Sequence, residues 1–217
     1  MIYKKYKNAT KDVVKKKGII KINYMEVKTP SWFNSSELKD IDISIIVPCY
    51  KSKDYIIEHI KSWDLTNDNL KVEIIYVDDH CPQHTHLQCV KSWEERKTEL
   101  KNPVGKCFLI LGKNSGFSNA CNTGAKEARG KYLLFLNADT ILTKNWLQPI
   151  YNSFKIDEKI GIVGNMQLSK NNFIDSCASE WRWKEHMFFH IGKNIYQQQT
   201  IEPFELSSAP EEVIKSK

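Results

Sequence analysis

Four consecutive apolar residues, Leu133-Leu134-Phe135-Leu136, run straight into Asn137-Ala138-Asp139. A run without a polar member has no face to offer water. It therefore reads as a strand buried on both sides, as in a sheet covered by helices. The strand ends on a carboxylate, which sets Asp139 at the carboxyl edge of the sheet, where open α/β sheets bind ligands. Taken alone, such an aspartate is more often a turn or cap residue than a metal ligand.

The same unit recurs upstream. Ile43-Ser44-Ile45-Ile46-Val47 is a β-branched strand stopped by Pro48, which has no N–H for a ladder. A helix follows, with Ser52 or Asp54 as its cap and Tyr55, Ile56, Ile60 and Trp63 at helical spacing as its apolar positions. Residues 72–77 form a second strand that ends in Asp78 and Asp79, and residues 84–100 a second helix. Residues 106–111 are a third strand, 112–116 a loop, and 118–128 a helix closed by Gly130. Beyond the Leu133 run, Thr143 is expected to cap a helix carrying Trp146, Leu147, Ile150 and Phe154, and residues 160–164 to form a further strand. Strands and helices alternating in this way give an α/β fold, a mostly parallel sheet with helices on both faces.

Charge narrows the partners. The net charge of +6 is carried by residues 1–17, where seven lysines face Asp12, while the rest of the chain balances to zero. No nucleic-acid partner is expected for the body. The tail suits an anionic membrane surface, at about 1 kcal/mol per lysine held close to it, or is simply solvated. No apolar run approaches the ~18 residues of a membrane span. The six cysteines show no CxxC pair, and the opening residues lack the apolar core of a secretory signal. Reduced thiols and a cytoplasmic location, peripheral at the inner membrane face, are expected. His80, Cys81, His84, His86 and Cys89 are zinc-ligand types, but their spacing matches no usual zinc pattern.

Three strand ends present functional groups on one rim: Pro48-Cys49-Tyr50, Asp78-Asp79 and Asn137-Ala138-Asp139. Asn114-Ser115-Gly116 lies between them, with Asn119 and Asn122 close behind. Aspartates accept from base N–H groups or ribose hydroxyls, and a tyrosine stacks on a base. Asp139 can hold a divalent cation, since Mg²⁺ takes only one or two carboxylates and completes its shell with water and substrate phosphates. The first strand is not followed by G-x-G-x-x-G, and no phosphate-loop G-x-x-x-x-G-K-[ST] occurs. A sugar nucleotidyltransferase would open with a Gly-rich, Arg-bearing loop, where this chain has Val47-Pro48-Cys49-Tyr50-Lys51.

These segments carry a resemblance. Residues 43–51 resemble the S-I-I-I-P-x-Y-N opening of family 2 glycosyltransferases, and Ile74-Ile75-Tyr76-Val77-Asp78-Asp79 resembles their I-I-V-V-D-D. Residues 114–124 are similar to N-x-G-x-x-x-A-x-N-x-G, and residues 130–139 to G-x-Y-L-x-F-L-D-x-D. The resemblance implies the GT-A fold, a nucleotide-diphosphate sugar donor, and inverting transfer to a glycan or lipid-linked glycan acceptor in surface polysaccharide or lipopolysaccharide assembly. It implies that Pro48, Cys49 and Tyr50 line the base pocket and that Asp79, with Asp78, binds base or ribose. Asn114, Gly116, Asn122 and Asn137 then lie along the donor, and Asp139 ligates Mg²⁺ or Mn²⁺.

The chain also departs from the pattern. Asn137 stands where the usual D-x-D has its first aspartate, a variant resembling rhamnosyltransferase-like members. Cys49, Lys51 and Cys81-Pro82 replace commoner residues. The acidic pair that supplies the catalytic base has no match: Glu180, Glu185, Glu202, Glu205, Glu211 and Glu212 sit in no such motif. A catalytic base is therefore not assigned, and a C-terminal truncation is expected. The organisation expected is a basic lead-in (1–40), a nucleotide-sugar-binding core (41–168) and a partial acceptor-side region (169–217). The alternative is a catalytically inactive nucleotide-binding remnant.

Overall fold

The computed structural model describes residues 2–4, 24–26, 39–63, 70–99, 105–171, 173–176, 178–182 and 187–191. The chain forms two compact units, residues 1–163 and 164–217. The first contains β1 (Ile2–Lys4), β2 (Tyr24–Glu26), β3 (Ile43–Cys49), α1 (Lys53–Lys61), β4 (Val72–Asp78) and α2 (Thr85–Glu95). It continues through β5 (Gly105–Leu111), α3 (Phe117–Glu127), β6 (Tyr132–Phe135), α4 (Leu147–Ser153) and β7 (Ile162–Val163).

These seven strands form one sheet in the order β2-β5-β4-β3-β6-β1-β7. Its centre, β5-β4-β3-β6, is parallel, and β2 and β1 join it antiparallel. Parallel strands buried on both faces need apolar residues on both faces, and the two sides of β3 and β4 supply them. Ile43, Ile45, Val47, Ile74 and Tyr76 pack on one face with Ile56 and Ile60 of α1, Trp93 of α2 and Leu147 of α4. Ile46, Ile75 and Val77 pack on the other with Ala120 of α3. Gly124 lets α3 lie close: a Cβ there would meet Ile46 Cγ2 at 2.6 Å.

The strand order reverses at β3, which pairs with β4 on one side and β6 on the other. The two pairings differ in length. β3 follows β4 as far as Cys49 opposite Asp78, but follows β6 only to Ile46 opposite Phe135. One more bond, Leu136 N–H to the Ile46 carbonyl at 3.0 Å, closes that ladder. Two residues on, the same side of β3 falls to Pro48, which has no N–H to offer. The strands part there, and a crevice opens at the carboxyl edge.

Several sequence expectations need correction. Thr143 does not cap α4, which begins at Leu147. Pro149 dictates this start: in the first helical turn its missing N–H costs nothing, whereas in a helix begun at residue 144 it would fall in the interior. The strand expected at residues 160–164 is reduced to Ile162–Val163, which pairs antiparallel with β1. Tyr55 does not share the core with Ile56, Ile60 and Trp63; it is 58% exposed. α2 ends at Glu95, with a separate 3₁₀ turn at Lys97–Glu99.

Among its described residues the second unit has two antiparallel ladders. β8 (Gln167–Leu168) pairs with β9 (Ile174–Ser176). β10 (Ala178–Arg182) pairs with β11 (Met187–Ile191), with Trp181 opposite Phe188 and Glu180 opposite Phe189. Among the described residues no helix is long and apolar enough to cross a membrane.

Candidate functional site

The crevice at the end of β3 is a cleft of about 420 Å³. Pro48, Cys49 and Tyr50 form one wall from the end of β3, and Asp79 closes the end of β4. Asn114 and Gly116 come from the loop between β5 and α3, and Asn137 and Asp139 from the turn after β6.

Asp79 is 3% exposed, and its carboxylate holds the neighbouring loop. Oδ1 accepts the Ser115 N–H and Oδ2 the Gly116 N–H, each at 2.8 Å. The Asn114 amide donates to the Asp79 carbonyl at 3.3 Å. Gly116 takes φ +86°, a left-handed backbone that glycine adopts without strain. Asp79 N–H in turn donates to the Cys49 carbonyl at 2.9 Å, tying β4 to the β3 wall.

Asp78 and Asn122 lie outside the cleft lining. Asp78 is buried, and its carboxylate serves the start of α2: Oδ1 accepts Cys81 N–H at 2.6 Å, and Oδ2 accepts the His86 N–H at 3.1 Å. His86 Nδ1 also meets Oδ2 at 2.7 Å. A carboxylate on free N–H groups of a helix start acts as a remote cap. Asn122 is an exposed residue within α3. The remaining members of the His80–Cys89 segment make internal contacts or pack in the core. His80 Nδ1 lies 3.3 Å from the Leu111 carbonyl, Cys81 meets Thr85 Oγ1 at 3.2 Å, and Cys89 is buried. The Cys81 sulfur also accepts the Lys51 N–H at 3.1 Å, holding Lys51 at φ +53° on the cleft rim. Burial pushes the Cys81 thiol up, but hydrogen bonds from Thr85, Gln83 and Lys51 bring it below its ordinary range.

Six further residues line the cleft without having been singled out from the motifs: Lys51, Ser52, Tyr55, Phe117, Ala120 and Ala138. Tyr55 and Phe117 are 58% and 61% exposed and flank it with Tyr50. The signal for Tyr55 was its neighbour, since Tyr55 and Ile56 cannot both face the same side of a helix. Ser52 and Gly116 are the N-cap positions of α1 and α3, so two helix starts border the cleft. Neither has a side-chain cap; the Ser52 hydroxyl donates instead to the Tyr50 carbonyl at 3.1 Å. Uncapped N–H groups at a helix start favour anions.

Asp139 is exposed in the cleft, and its carboxylate accepts no hydrogen bond among the described residues. Among those residues no three His, Cys, Asp or Glu side chains gather as a ligand set. One open carboxylate beside uncapped helix starts fits a cation such as Mg²⁺ or Mn²⁺ that takes its remaining ligands from water and a bound phosphate. The turn behind Asp139 is closed by Thr140, whose hydroxyl donates to the Asn137 carbonyl at 2.7 Å. His59 of α1, completely buried, lies against it. Burial drives the His59 pKa down to about 4, against the opposing pull of the Thr140 hydrogen bond and the Asp139 charge.

Comparison with known proteins places these features in context. Residues 44–205 match the family described as glycosyl transferase family 2. The chain is 31% identical over 154 residues to a poly-β-1,6-N-acetyl-D-glucosamine synthase of Staphylococcus aureus, an alignment covering 70% of this chain and 34% of that protein. It is 24% identical over 176 residues to glycosyltransferase GlyA of Streptococcus pneumoniae, covering 79% of this chain and 24% of GlyA. Among solved structures, S. aureus TarS superimposes with a TM-score of 0.40 at 24% identity, over 61% of this chain and 24% of TarS. The chain thus spans about a third of the length of the synthase it matches.

Proposed function

Because the chain belongs to glycosyltransferase family 2, we propose that its cleft binds a nucleotide-diphosphate sugar and that it transfers the sugar, with inversion, to a growing glycan. The observation that carries this reading is the convergence of Tyr50, Asp79, Asn114 and Asp139 on one cleft at the switch point of the sheet.

Each residue has a role that its surroundings support. Tyr50, 45% exposed, offers a ring face to the base. Asp79 has spent one acceptor site per oxygen on the Ser115 and Gly116 amides, and each oxygen keeps a further lone pair for a base N–H or ribose hydroxyl. The starts of α1 and α3 face the diphosphate. Asp139, with Asn137 beside it, holds the divalent cation. When bound, that cation supplies Lewis-acid stabilisation of the departing nucleoside diphosphate. The acceptor hydroxyl attacks the anomeric carbon opposite the departing nucleoside diphosphate, and its proton goes to a carboxylate base. The staphylococcal relative is named for synthesis of poly-β-1,6-N-acetyl-D-glucosamine, which supports a polysaccharide as acceptor. Action at the cytoplasmic face of a membrane, aided by the lysine-rich first 17 residues, belongs to the same proposal.

The absence of a matching acidic pair favours a second reading, a nucleotide-binding module without turnover. One experiment separates the two. The protein is titrated with UDP and GDP, then incubated with UDP- and GDP-sugars and Mn²⁺ while nucleoside diphosphate release is followed. Binding with release supports the transferase, and binding without release supports the module. No binding of either nucleotide at millimolar concentration overturns both. Pyrophosphate release from a nucleoside triphosphate would point instead to a nucleotidyltransferase.

A further inference from the structure

The turn that carries Asp139 has no ladder beneath it, because β6 ends at Phe135 and its last bond to β3 is made by Leu136. It is held from the side, by the second half of α1. Trp63 Nε1–H points at His59 Nε2, 3.2 Å away. An indole nitrogen only donates, so Nε2 accepts and the ring proton of the neutral imidazole sits on Nδ1. Nδ1 lies 2.8 Å from the Thr140 carbonyl oxygen, which accepts that proton. Three residues along α1, the Ser62 hydroxyl donates to the His59 carbonyl at 2.7 Å and accepts the Leu142 N–H at 3.0 Å. Two side chains of one helix thus grip the backbone at positions 140 and 142, immediately after Asp139.

A residue needed only for packing would fill the space between Trp63 and Tyr76, whose rings lie edge-on to His59 at 5.9 and 6.4 Å. Leucine or phenylalanine could do that. What they could not do is donate to a loop carbonyl. We infer that His59 is a positioning residue for the donor site: by donating from Nδ1 to Thr140 it fixes the turn that presents Asp139 to a divalent cation and the donor diphosphate. This inference rests on the reading of Asp139 as the cation ligand. The Trp63 indole N–H on Nε2 keeps the single ring proton on Nδ1.

The test uses side chains that reproduce one nitrogen at a time. An asparagine amide nitrogen falls where Nδ1 sits, so His59→Asn keeps the donor to Thr140 and loses the acceptor for Trp63. His59→Leu keeps the volume and loses both. Mn²⁺ affinity is read by electron paramagnetic resonance of the free ion, with UDP or GDP saturating, beside metal-free nucleotide affinity and melting temperature. Loss of one such hydrogen bond is worth about tenfold. His59→Leu is expected to weaken Mn²⁺ binding by about that factor with metal-free nucleotide affinity unchanged, and His59→Asn to recover most of it.

A folded His59→Leu protein with wild-type Mn²⁺ affinity, or a His59→Asn protein no better than His59→Leu, overturns the inference. If His59→Leu does not fold, Ser62→Ala keeps His59 and removes the Leu142 anchor, together with the hydroxyl's bond to the His59 carbonyl, and is read in the same way. Asp139→Asn is measured in parallel. If it too leaves Mn²⁺ affinity intact, the cation reading of Asp139 has failed, and the positioning role falls with it. If only the His59 and Ser62 variants are silent, the cation reading stands and the positioning role alone is wrong.

Discussion

Asp79 and Gly116 are bonded across 37 residues of sequence, carboxylate Oδ2 to backbone N–H at 2.8 Å. The other oxygen binds Ser115 in the same manner. The aspartate at the end of β4 therefore shapes the loop that forms the next wall of the cleft, in addition to facing whatever enters it.

Asp79→Asn keeps the size of this side chain but leaves one acceptor atom where two N–H groups converge. The orphaned amide and the weaker, uncharged hydrogen bond should cost about 1–3 kcal/mol of stability. Nucleotide affinity should drop at least tenfold in calorimetric titration, and equally with or without Mn²⁺. Asp139→Ala should remove only the Mn²⁺-dependent share. A metal-dependent loss in Asp79→Asn would reassign its role.

Glu73 is the buried charge on which the opposite edge of the sheet depends. It is 3% exposed, accepts the Ser44 hydroxyl at 2.6 Å, and accepts both the backbone N–H and the guanidinium of Arg129 at 2.7–3.0 Å. Ser44 Oγ in turn accepts Gly130 N–H at 2.7 Å. Glu73→Ala strands these donors and should destabilise by about 3 kcal/mol in urea unfolding. Nucleotide affinity of the folded fraction should be unchanged, because the network lies at the amino edge of the sheet, away from the cleft.

Gly124→Ala should destabilise by about 1–3 kcal/mol, because the added methyl meets Ile46 Cγ2 at 2.6 Å and Val77 Cγ2 at 3.1 Å. Shortening the neighbour with Ile46→Val should recover part of the loss in a double-mutant cycle. Strictly additive effects would show that the contact is not the cause.

Stability should fall in mild acid, and His59 gives the sign. Its pKa is near 4 in the folded protein against 6.5 in the unfolded chain. The unfolded state therefore takes up a proton first. Stability from this group is complete above pH 6.5 and is lost as pH falls toward 4, by up to about 3 kcal/mol. Urea midpoints across this range should separate the wild type from His59→Asn, which cannot titrate and should show a shallower slope. Parallel slopes for the two proteins would remove His59 from the account.

The central strands were legible because their cause is local. Residues 74–77 and 133–136 are apolar runs with no face for water, and residues 43–47 break such a run only at Ser44, a pattern that suits a covered parallel sheet. Strands β1 and β2 had no such signature: three residues each, they join the sheet antiparallel to β6 and β5 through contacts more than eighty residues away along the chain. The start of α4 was misread because Thr143 is a good cap by type, while the decision belonged to Pro149. Tyr55 and Phe117 were hidden differently. An exposed aromatic that lines a cleft has the same letter as one in the core, and only the fold distinguishes them. His59 stood outside every motif, and its bond to Thr140 spans 81 residues.

The early parting of β3 and β6 at Pro48 has a consequence for how such a chain can vary. A single inserted residue within β3 would turn every later side chain of the strand to the opposite face and exchange the two cores. Between Leu142 and the start of α4 at Leu147, where the backbone has already left the ladder, insertions leave the β3–β6 register untouched. The same cleft can therefore keep one inherited wall while its other side is lengthened, shortened or replaced, and substrate choice can diversify there without renegotiating the sheet.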